Sequence, residues 1–292
     1  GSYPIITQNQ DGNDVPIVTT RGNYAYLGKL VVDFDNTGEV VAVRDESGPI
    51  RIAGGAQPDA VLPDPDVQSQ IVDPVAEGLE VLASNVIATS EVGLDAVRSN
   101  IRAKETNEGN LITDAFLWQA NELAASFGAP NADIAIANGG GIRNDNVIPA
   151  GDITELTTFD MLPFLNFISI VEDITPERFK LMMENAVSRT SLDGSDVISS
   201  GSGTGRFAQI AGFSVEYDIN KTALELDNDG NVVTEGSRII NITLDDGTEI
   251  IRDGVVADGA PNVNVATADF TARGGDQYPL GDLDLTLLGV TY

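Results

Sequence analysis

Three consecutive glycines and a nearby arginine, Gly139 to Gly141 and Arg143, form the first stretch of the sequence whose residue types could do chemistry. Glycine lets a ligand approach the backbone closely and exposes amide N–H groups that bind anions. Arginine adds a rigid fork of donors that matches phosphate. The stretch lacks the lysine of a P-loop and the spacing of a dinucleotide fingerprint. On its own, it therefore fits a tight turn as well as a phosphate site.

Two aromatic residues stand beside polar ones farther along the chain. Phe164 and Asn166 follow a proline, and Phe270 precedes Asp276 by six residues, with two glycines between them. A pair of aromatic rings can sandwich a flat heterocycle, which contributes about 1–3 kcal/mol per stacked base. An aspartate can accept hydrogen bonds from ribose hydroxyls. The alternative for either phenylalanine is ordinary packing in the core.

The composition excludes several kinds of chemistry. Among 292 residues there is no histidine and no cysteine, so this chain alone cannot build a Ser–His–Asp triad, a thiolate nucleophile, a disulfide or a His-ligated metal site. The formal net charge of −29 argues against nucleic acid polymers as partners, because their phosphates need basic surface. Such acidity suits solubility in a salty medium. No apolar run approaches the roughly 18 residues that a membrane span needs.

The elements that must position these residues are predicted from local patterns. Strand-like runs at 24–35 and 39–44 flank a hairpin turn at 36–38. The stretch 48–65, rich in Pro, Gly and Asp, indicates a linker. From residue 205 onward the chain is mainly strands, with another hairpin turn at 245–247. Mixed helices and strands followed mainly by strands predict an α+β or mixed α/β fold.

Three helices are predicted from apolar stripes and capping residues. The first is expected to kink at Pro74. The second is capped by Thr106 or Asn107, and the third begins at Thr175, followed by proline at the first helical position. The stripes are, in chain order, Val67, Ile71, Val75 and Leu79; Ile112, Phe116, Ala120, Leu123 and Phe127; and Phe179, Met182, Met183, Ala186 and Val187.

Five motifs in series resemble the C-terminal domain of the 5'-nucleotidase family, which also includes UDP-sugar hydrolases and 2',3'-cyclic phosphodiesterases. The resemblance covers roughly residues 85–285. Upstream, "VPIVTTRGNYAYLGKLVVDFD" is similar to the last strands of the family's metallophosphatase domain. The five motifs are "ETNEGNLITDA", "ADIAIANGGGIR", "LPFLN", "GRFAQIAG" and "DFTARGGDQY".

The resemblance implies layered sheets flanked by helices, and it implies a domain organisation. Residues 1–47 are expected to be the tail of the metallophosphatase domain, 48–84 a linker with a helix, and 85–292 the substrate-binding domain. The family's pair of divalent metals (zinc, manganese or similar) and its catalytic histidine are expected in an N-terminal domain that this chain lacks. We expect the chain to carry a nucleotide or nucleoside to that domain and to be inactive alone. The family also implies a secreted, periplasmic or cell-surface location.

The resemblance assigns the base and ribose contacts to particular positions. Phe164 and Phe270 match the family's base-stacking pair, and Asn166 matches a polar contact to the base. Asp276 matches the aspartate that binds ribose. One departure is Gln277, where the family usually has glycine, and this residue is expected to narrow or re-aim the ribose pocket.

The same resemblance assigns a phosphate end. Asn138 and Arg143 match residues near the substrate phosphate. Arg102 and Lys104 fall where the family has arginines, and a lysine there would keep the charge but lose the bidentate fork. Gly212 matches a position that lines the base pocket.

Alternatives remain open at this level. The same architecture serves UDP-sugars, cyclic nucleotides and a sulfur-oxidising thiohydrolase, and a non-catalytic binding module could keep the fold; the aromatic pair favours a flat base. The acidic run "ELDNDGN" at 225–231 begins like a calcium loop but has Gly236 where such a loop needs a glutamate. A plain hairpin turn is therefore preferred for this run.

Overall fold

The computed structural model of the chain describes residues 3–193, 198 and 203–291. The chain divides into two compact units, residues 1–78 and 79–292. The domain boundaries after residues 47 and 84 stay predictions. Across the described ranges, no helix combines the length and the apolar character that crossing a membrane requires.

The first unit contains three antiparallel strand pairs, β1–β2, β3–β6 and β4–β5. The predicted hairpin turn joins β4 to β5, where Asp35 accepts the N–H groups of Thr37 and Glu39. The predicted linker was expected to contain no strand, but its first residues form β6. The pairing of β6 with β3 was not visible in the sequence, because it depends on a partner that is distant along the chain. The strands are β1 (Ile5–Gln8), β2 (Asp14–Ile17), β3 (Tyr26–Lys29), β4 (Val32–Phe34), β5 (Val40–Val43) and β6 (Gly48–Arg51).

The first predicted helix is present and interrupted. It runs as α1 (Pro65–Val67), a π-helical turn (Gln68–Val72) and α2 (Asp73–Ser84). The interruption ends at Val72, two residues before Pro74, whose nitrogen cannot donate to the preceding turn. The apolar stripe of this helix is not buried, since all four predicted side chains are exposed.

The second unit is built on a five-stranded sheet in the order β13-β9-β20-β12-β21. β9 and β20 are parallel, and the other neighbours are antiparallel. A four-stranded sheet, β14-β17-β18-β19, and the pairs β7–β11, β8–β10 and β15–β16 complete the strands. The elements are β7 (Val86–Ser90), β8 (Leu94–Asp95), α3 (Arg98–Ile101), α4 (Asn107–Phe127), β9 (Ile134–Asn138), β10 (Val147–Ile148), β11 (Gly151–Thr154), α5 (Glu155–Met161), β12 (Phe167–Ile174), α6 (Pro176–Val187), β13 (Ala208–Ala211), β14 (Phe213–Tyr217), β15 (Glu225–Leu226), β16 (Val232–Thr234), β17 (Ile239–Leu244), β18 (Glu249–Arg252), β19 (Val255–Val256), β20 (Val263–Ala268), α7 (Asp269–Ala272) and β21 (Leu285–Thr291).

The core lies on both faces of the five-stranded sheet. In β9, Ile134 and Ile136 pack with α6 and the second sheet, whereas Ala135 and Ala137 pack with α4 on the opposite face. This alternation follows from the two-residue period of a strand. Because both faces are covered, the strand is a continuous apolar run. The layered, mixed α/β architecture agrees with the predicted fold class.

The two long helices of this unit begin where the capping residues predict. Thr106 accepts the N–H of Gly109 at the start of α4, and Thr175 accepts the N–H of Arg178 at the start of α6. The predicted apolar stripe of α6 is buried throughout. In α4 the last stripe residue was predicted wrongly: Phe127 is exposed, because the helix ends there and Ala124 occupies the buried position instead.

Candidate functional site

The topology of the five-stranded sheet brings four strand ends to one edge. Since β9 and β20 are parallel, Asn138 and Ala268 end their strands side by side. β12 is antiparallel to β20 and β13 is antiparallel to β9, so Phe167 and Ala208 begin their strands at the same edge. The loops that leave or enter these ends therefore meet, although they are far apart in sequence.

These loops enclose a pocket of about 320 Å³. Seven of the nine predicted site residues line it, together with glycines of two loops. The lining residues are Arg102, Asn138, Gly140, Gly141, Arg143, Phe164, Asn166, Gly205, Phe270 and Asp276.

The structure does not bring Lys104 or Gly212 into this pocket. Both line a separate cleft along β13 and β14. Gly212 has a φ of +85°, and a Cβ there would lie 2.6 Å from the carbonyl oxygen of Asp133. That glycine is therefore explained by the crossing of the chain from β13 into β14. The backbone carbonyl of Lys104 accepts a hydrogen bond from Gln209.

The two phenylalanines stand at neighbouring strand ends. Phe164 lies in the loop before β12, and Phe270 lies in α7, directly after β20. Asp269 ties these segments together, because its Oδ1 accepts the N–H of Phe167 at 2.9 Å. Each of these residues is 43% exposed, so neither is packed away in the core. Gly275 supports the second ring closely, since a Cβ there would lie 2.5 Å from Cε1 of Phe270.

The glycine loop does not offer its amides to a ligand. Gly139 donates to the carbonyl of Phe207 and Gly140 to that of Gly205, while Gly141 donates back to Asn138. Of the two alternatives that the sequence left open for this loop, these hydrogen bonds favour the tight turn. Glycine is required for close packing instead, because a Cβ on Gly139 would lie 2.4 Å from the carbonyl oxygen of Ile101.

The cationic side of the pocket consists of Arg102 and Arg143. The guanidinium carbon of Arg143 lies 5.3 Å from the centroid of the Phe164 ring, a cation–π geometry. The Nε of Arg102 is buried without a hydrogen-bond partner. Burial lowers the pKa of Arg102, as do the neighbouring charges of Arg98 and Arg143. Within the described part of the chain, neither pocket arginine forms a salt bridge.

The carboxylate of Asp276 faces the arginines across the pocket. Its Oδ2 accepts a hydrogen bond of 2.7 Å from Nδ2 of Asn138. The backbone of Asp276 is left-handed, with a φ of +53°, a conformation that costs about 1–2 kcal/mol for a residue with a side chain. Asn185 stabilises this turn by donating to the carbonyl of Asp276 at 3.1 Å.

Sequence reasoning missed the supporting residues Gly205, Arg206 and Asn185. Gly205 lines the pocket, and Arg206 donates to the side chain of Asn185 at 2.9 Å. Burial lowers the pKa of Arg206. The first two residues lie in the quoted motif "GRFAQIAG", which was the available signal. Asn185 lies on the core helix α6, and no motif in the sequence pointed to it.

The donor set for a metal is absent from the described residues. No group of three or more His, Cys, Asp or Glu side chains among them could hold an ion. The acidic run at 225–231 forms the turn of the β15–β16 hairpin, where Oδ1 of Asp227 accepts the N–H groups of Asp229 and Asn231. The described residues therefore do not fit the metal pair that the family resemblance implies.

Fold and pocket together define a mixed α/β domain with a site at one edge of its sheet. The family profile described as "5'-nucleotidase, C-terminal domain" matches residues 86–281. The chain belongs to this family.

Individual relatives cover more of the chain than the family profile does. The trifunctional nucleotide phosphoesterase protein YfkN of Bacillus subtilis is 29% identical over 268 residues, which cover 91% of this chain and 16% of that protein. The snake venom 5'-nucleotidase of Macrovipera lebetinus is 27% identical over 301 residues, which cover 99% of this chain and 66% of that protein. The crystal structure of a 5'-nucleotidase precursor from Thermus thermophilus superposes with a TM-score of 0.58 at 27% identity, covering 99% of this chain and 49% of that one. The chain thus spans only part of the length of these relatives.

Proposed function

We propose that the second unit is the nucleotide-binding and specificity domain of a metal-dependent, 5'-nucleotidase-type phosphohydrolase. The base stacks between Phe164 and Phe270, with Asn166 at its edge, and Asp276 accepts the ribose hydroxyls. Membership of the family supports a ligand of this class, as do the names of the relatives, a nucleotide phosphoesterase and 5'-nucleotidases.

The arginine pair carries the proposal. In a chain with a net charge of −29, two guanidiniums converge on one pocket, and neither forms a salt bridge with a described carboxylate. A buried guanidinium nitrogen without a partner is costly, and a phosphate would supply the missing acceptor. Arg102 and Arg143 are therefore assigned to the phosphate, and Lys104 is not, because its side chain lines another cleft.

The aromatic side of the pocket supports a flat ligand. Phe164 and Phe270 keep partly exposed rings that line the same pocket as the arginines. A base stacked on such rings gains about 1–3 kcal/mol per contact. A small inorganic ester would leave both rings without a stacked ligand, so the pair favours a nucleoside group.

The described residues bind and orient; they do not supply a hydrolytic centre. In the proposal the family's metal pair is held by residues outside this chain and, when bound, activates water and polarises the phosphorus. The residues described here hold the base, the ribose and the phosphate in one orientation toward that centre. The chain on its own is expected not to hydrolyse 5'-AMP.

Calorimetric titration tests the proposal with three ligands: 5'-AMP, adenosine and UDP-glucose. We expect the wild-type chain to bind 5'-AMP, and Phe164→Ala to lose about tenfold or more in affinity with the stacked ring. Phe159→Ala is the matched control, because that exposed phenylalanine of α5 lies outside the pocket.

The three ligands also separate the alternatives. Stronger binding of UDP-glucose than of 5'-AMP would favour a UDP-sugar hydrolase. If none of the three binds and Phe164→Ala changes nothing, the nucleotide site is refuted and a non-catalytic role for the fold remains.

A further inference from the structure

Gln277 occupies a backbone conformation that favours glycine. Its φ is +60°, and it directly follows Asp276, whose φ is +53°. Two consecutive residues with side chains in the left-handed region are unusual, and such strain persists only where surrounding contacts enforce it. The presence of a glutamine rather than a glycine at this position therefore needs a structural reason.

The side chain of Gln277 is hydrogen-bonded at both ends, away from the pocket. Its Oε1 accepts from Nη2 of Arg206 at 2.9 Å. Its Nε2 donates to the carbonyl of Asp227 at 2.7 Å. Asp227 stands in the turn of the β15–β16 hairpin, so one side chain joins the turn below the pocket to a separate hairpin.

Arg206 extends these contacts into a closed ring around Asp276. Its Nη1 donates to Oδ1 of Asn185 at 2.9 Å, and Nδ2 of Asn185 donates to the carbonyl of Asp276 at 3.1 Å. Tyr278, buried beside the turn, donates its hydroxyl to the carbonyl of Arg206 at 2.7 Å. The backbone of Asp276 is thus held on one side by Asn185 and on the other by Gln277.

We propose that Gln277 is a positioning residue that sets the direction of the Asp276 carboxylate. This role rests on the proposed function, in which Asp276 accepts the ribose hydroxyls. Asn138 holds one carboxylate oxygen from within the pocket. Gln277 restrains the backbone of Asp276 through its hydrogen bonds to Arg206 and to the β15–β16 hairpin. The side chain of Gln277 does not line the pocket, so it does not narrow the pocket in the way that the sequence suggested. Instead, Gln277 holds Asp276, which does line the pocket.

The test compares adenosine with 2',3'-dideoxyadenosine, which lacks the 2'- and 3'-hydroxyls of the ribose. We expect the wild-type chain to prefer adenosine by about tenfold or more, the discrimination typical of a hydrogen bond to a charged group. In Gln277→Gly, glycine suits the positive φ, so the turn can form without the ties. The preference should then fall to less than about threefold while the melting temperature is kept or raised.

Two further variants keep the result interpretable. Asp253→Gly relieves a positive φ of 51° in the turn between β18 and β19, outside the pocket, and should keep the preference for adenosine. Gln277→Ala removes the same ties but keeps the strained backbone, so it should lose the preference with a lower melting temperature. If either Gln277 variant is folded and retains the wild-type preference, the positioning role is refuted. If the wild-type chain binds neither ligand, the proposed function fails and this role fails with it.

Discussion

Glu108 has a buried carboxyl group in the second unit, and only one of its two oxygens accepts a hydrogen bond. It lies in the first turn of α4 and is fully buried. Its Oε2 accepts one hydrogen bond of 3.2 Å from Asn144, the residue that follows the pocket cation Arg143, and its Oε1 has no partner. Burial raises the pKa of Glu108 to about 7, and the nearby charge of Asp95 acts in the same direction. The native state therefore holds this carboxyl in its protonated form through mildly acidic pH.

Substituting glutamine for Glu108 removes this titration, and the sign of the effect follows from linkage. The unfolded chain releases the proton near the ordinary pKa of 4.5, whereas the folded chain keeps it up to about pH 7. The contribution to stability is present in full below pH 4.5 and is lost as the pH rises to about 7. The difference between these two pKa values corresponds to about 3 kcal/mol in the free energy of unfolding.

Urea unfolding of wild type and Glu108→Gln at pH 5 and pH 8 measures this effect. Trp118, the only tryptophan of the chain, lies on α4 and reports unfolding of the second unit by fluorescence. Between the two pH values, wild type should lose about 2–3 kcal/mol relative to the variant. The other acidic groups are common to both proteins, so their effects cancel in the difference. A difference that stays constant with pH would refute the reasoning.

Two further substitutions test the packing that supports the site. In Gly275→Ala, the new Cβ would lie 2.5 Å from both Cε1 and the carbonyl oxygen of Phe270, so adenosine affinity and melting temperature should both fall. Gly54→Ala is the control and should change neither, because the space around Gly54 is open. If Gly275→Ala leaves both quantities unchanged, the close contact is contradicted. Thr106→Ala removes the N-cap of α4 and should cost about 1 kcal/mol in urea unfolding, whereas Thr106→Ser keeps the hydroxyl and most of the stability; equal losses in both would show that the cap hydrogen bond is not the cause.

Local signals in the sequence predicted the elements that depend on local chemistry. Thr106 and Thr175 begin their helices because capping needs only a side-chain oxygen and an amide three residues on. The hairpin turns at 36–38 and 245–247 were predicted on the same basis. The pairing of 48–51 with β3 was not predicted, because the partner of a strand depends on tertiary context.

The pocket was predicted better than its supports. Three of the five motifs contain six of the seven predicted lining residues, and Arg102 lies just before the first motif, but only the strand order shows why their loops meet. The sequence left the amides of the glycine loop open to an anion, whereas neighbouring carbonyls occupy them. Sequence spacing cannot reveal that occupation, which depends on the loop around Gly205. Gly212 was similarly misplaced, because a glycine required by backbone crossing resembles one required by a ligand.

The central claim is that this pocket recognises the phosphate of a nucleotide, and Arg143 tests it most directly. The measurement is the affinity of Arg143→Ala for 5'-AMP and for adenosine, by calorimetry, with Arg252→Ala as a control that removes a charge from β18, outside the pocket. We predict that 5'-AMP affinity falls about tenfold or more while adenosine affinity changes less than about threefold. Equal losses for both ligands, or no loss for either, would contradict the account.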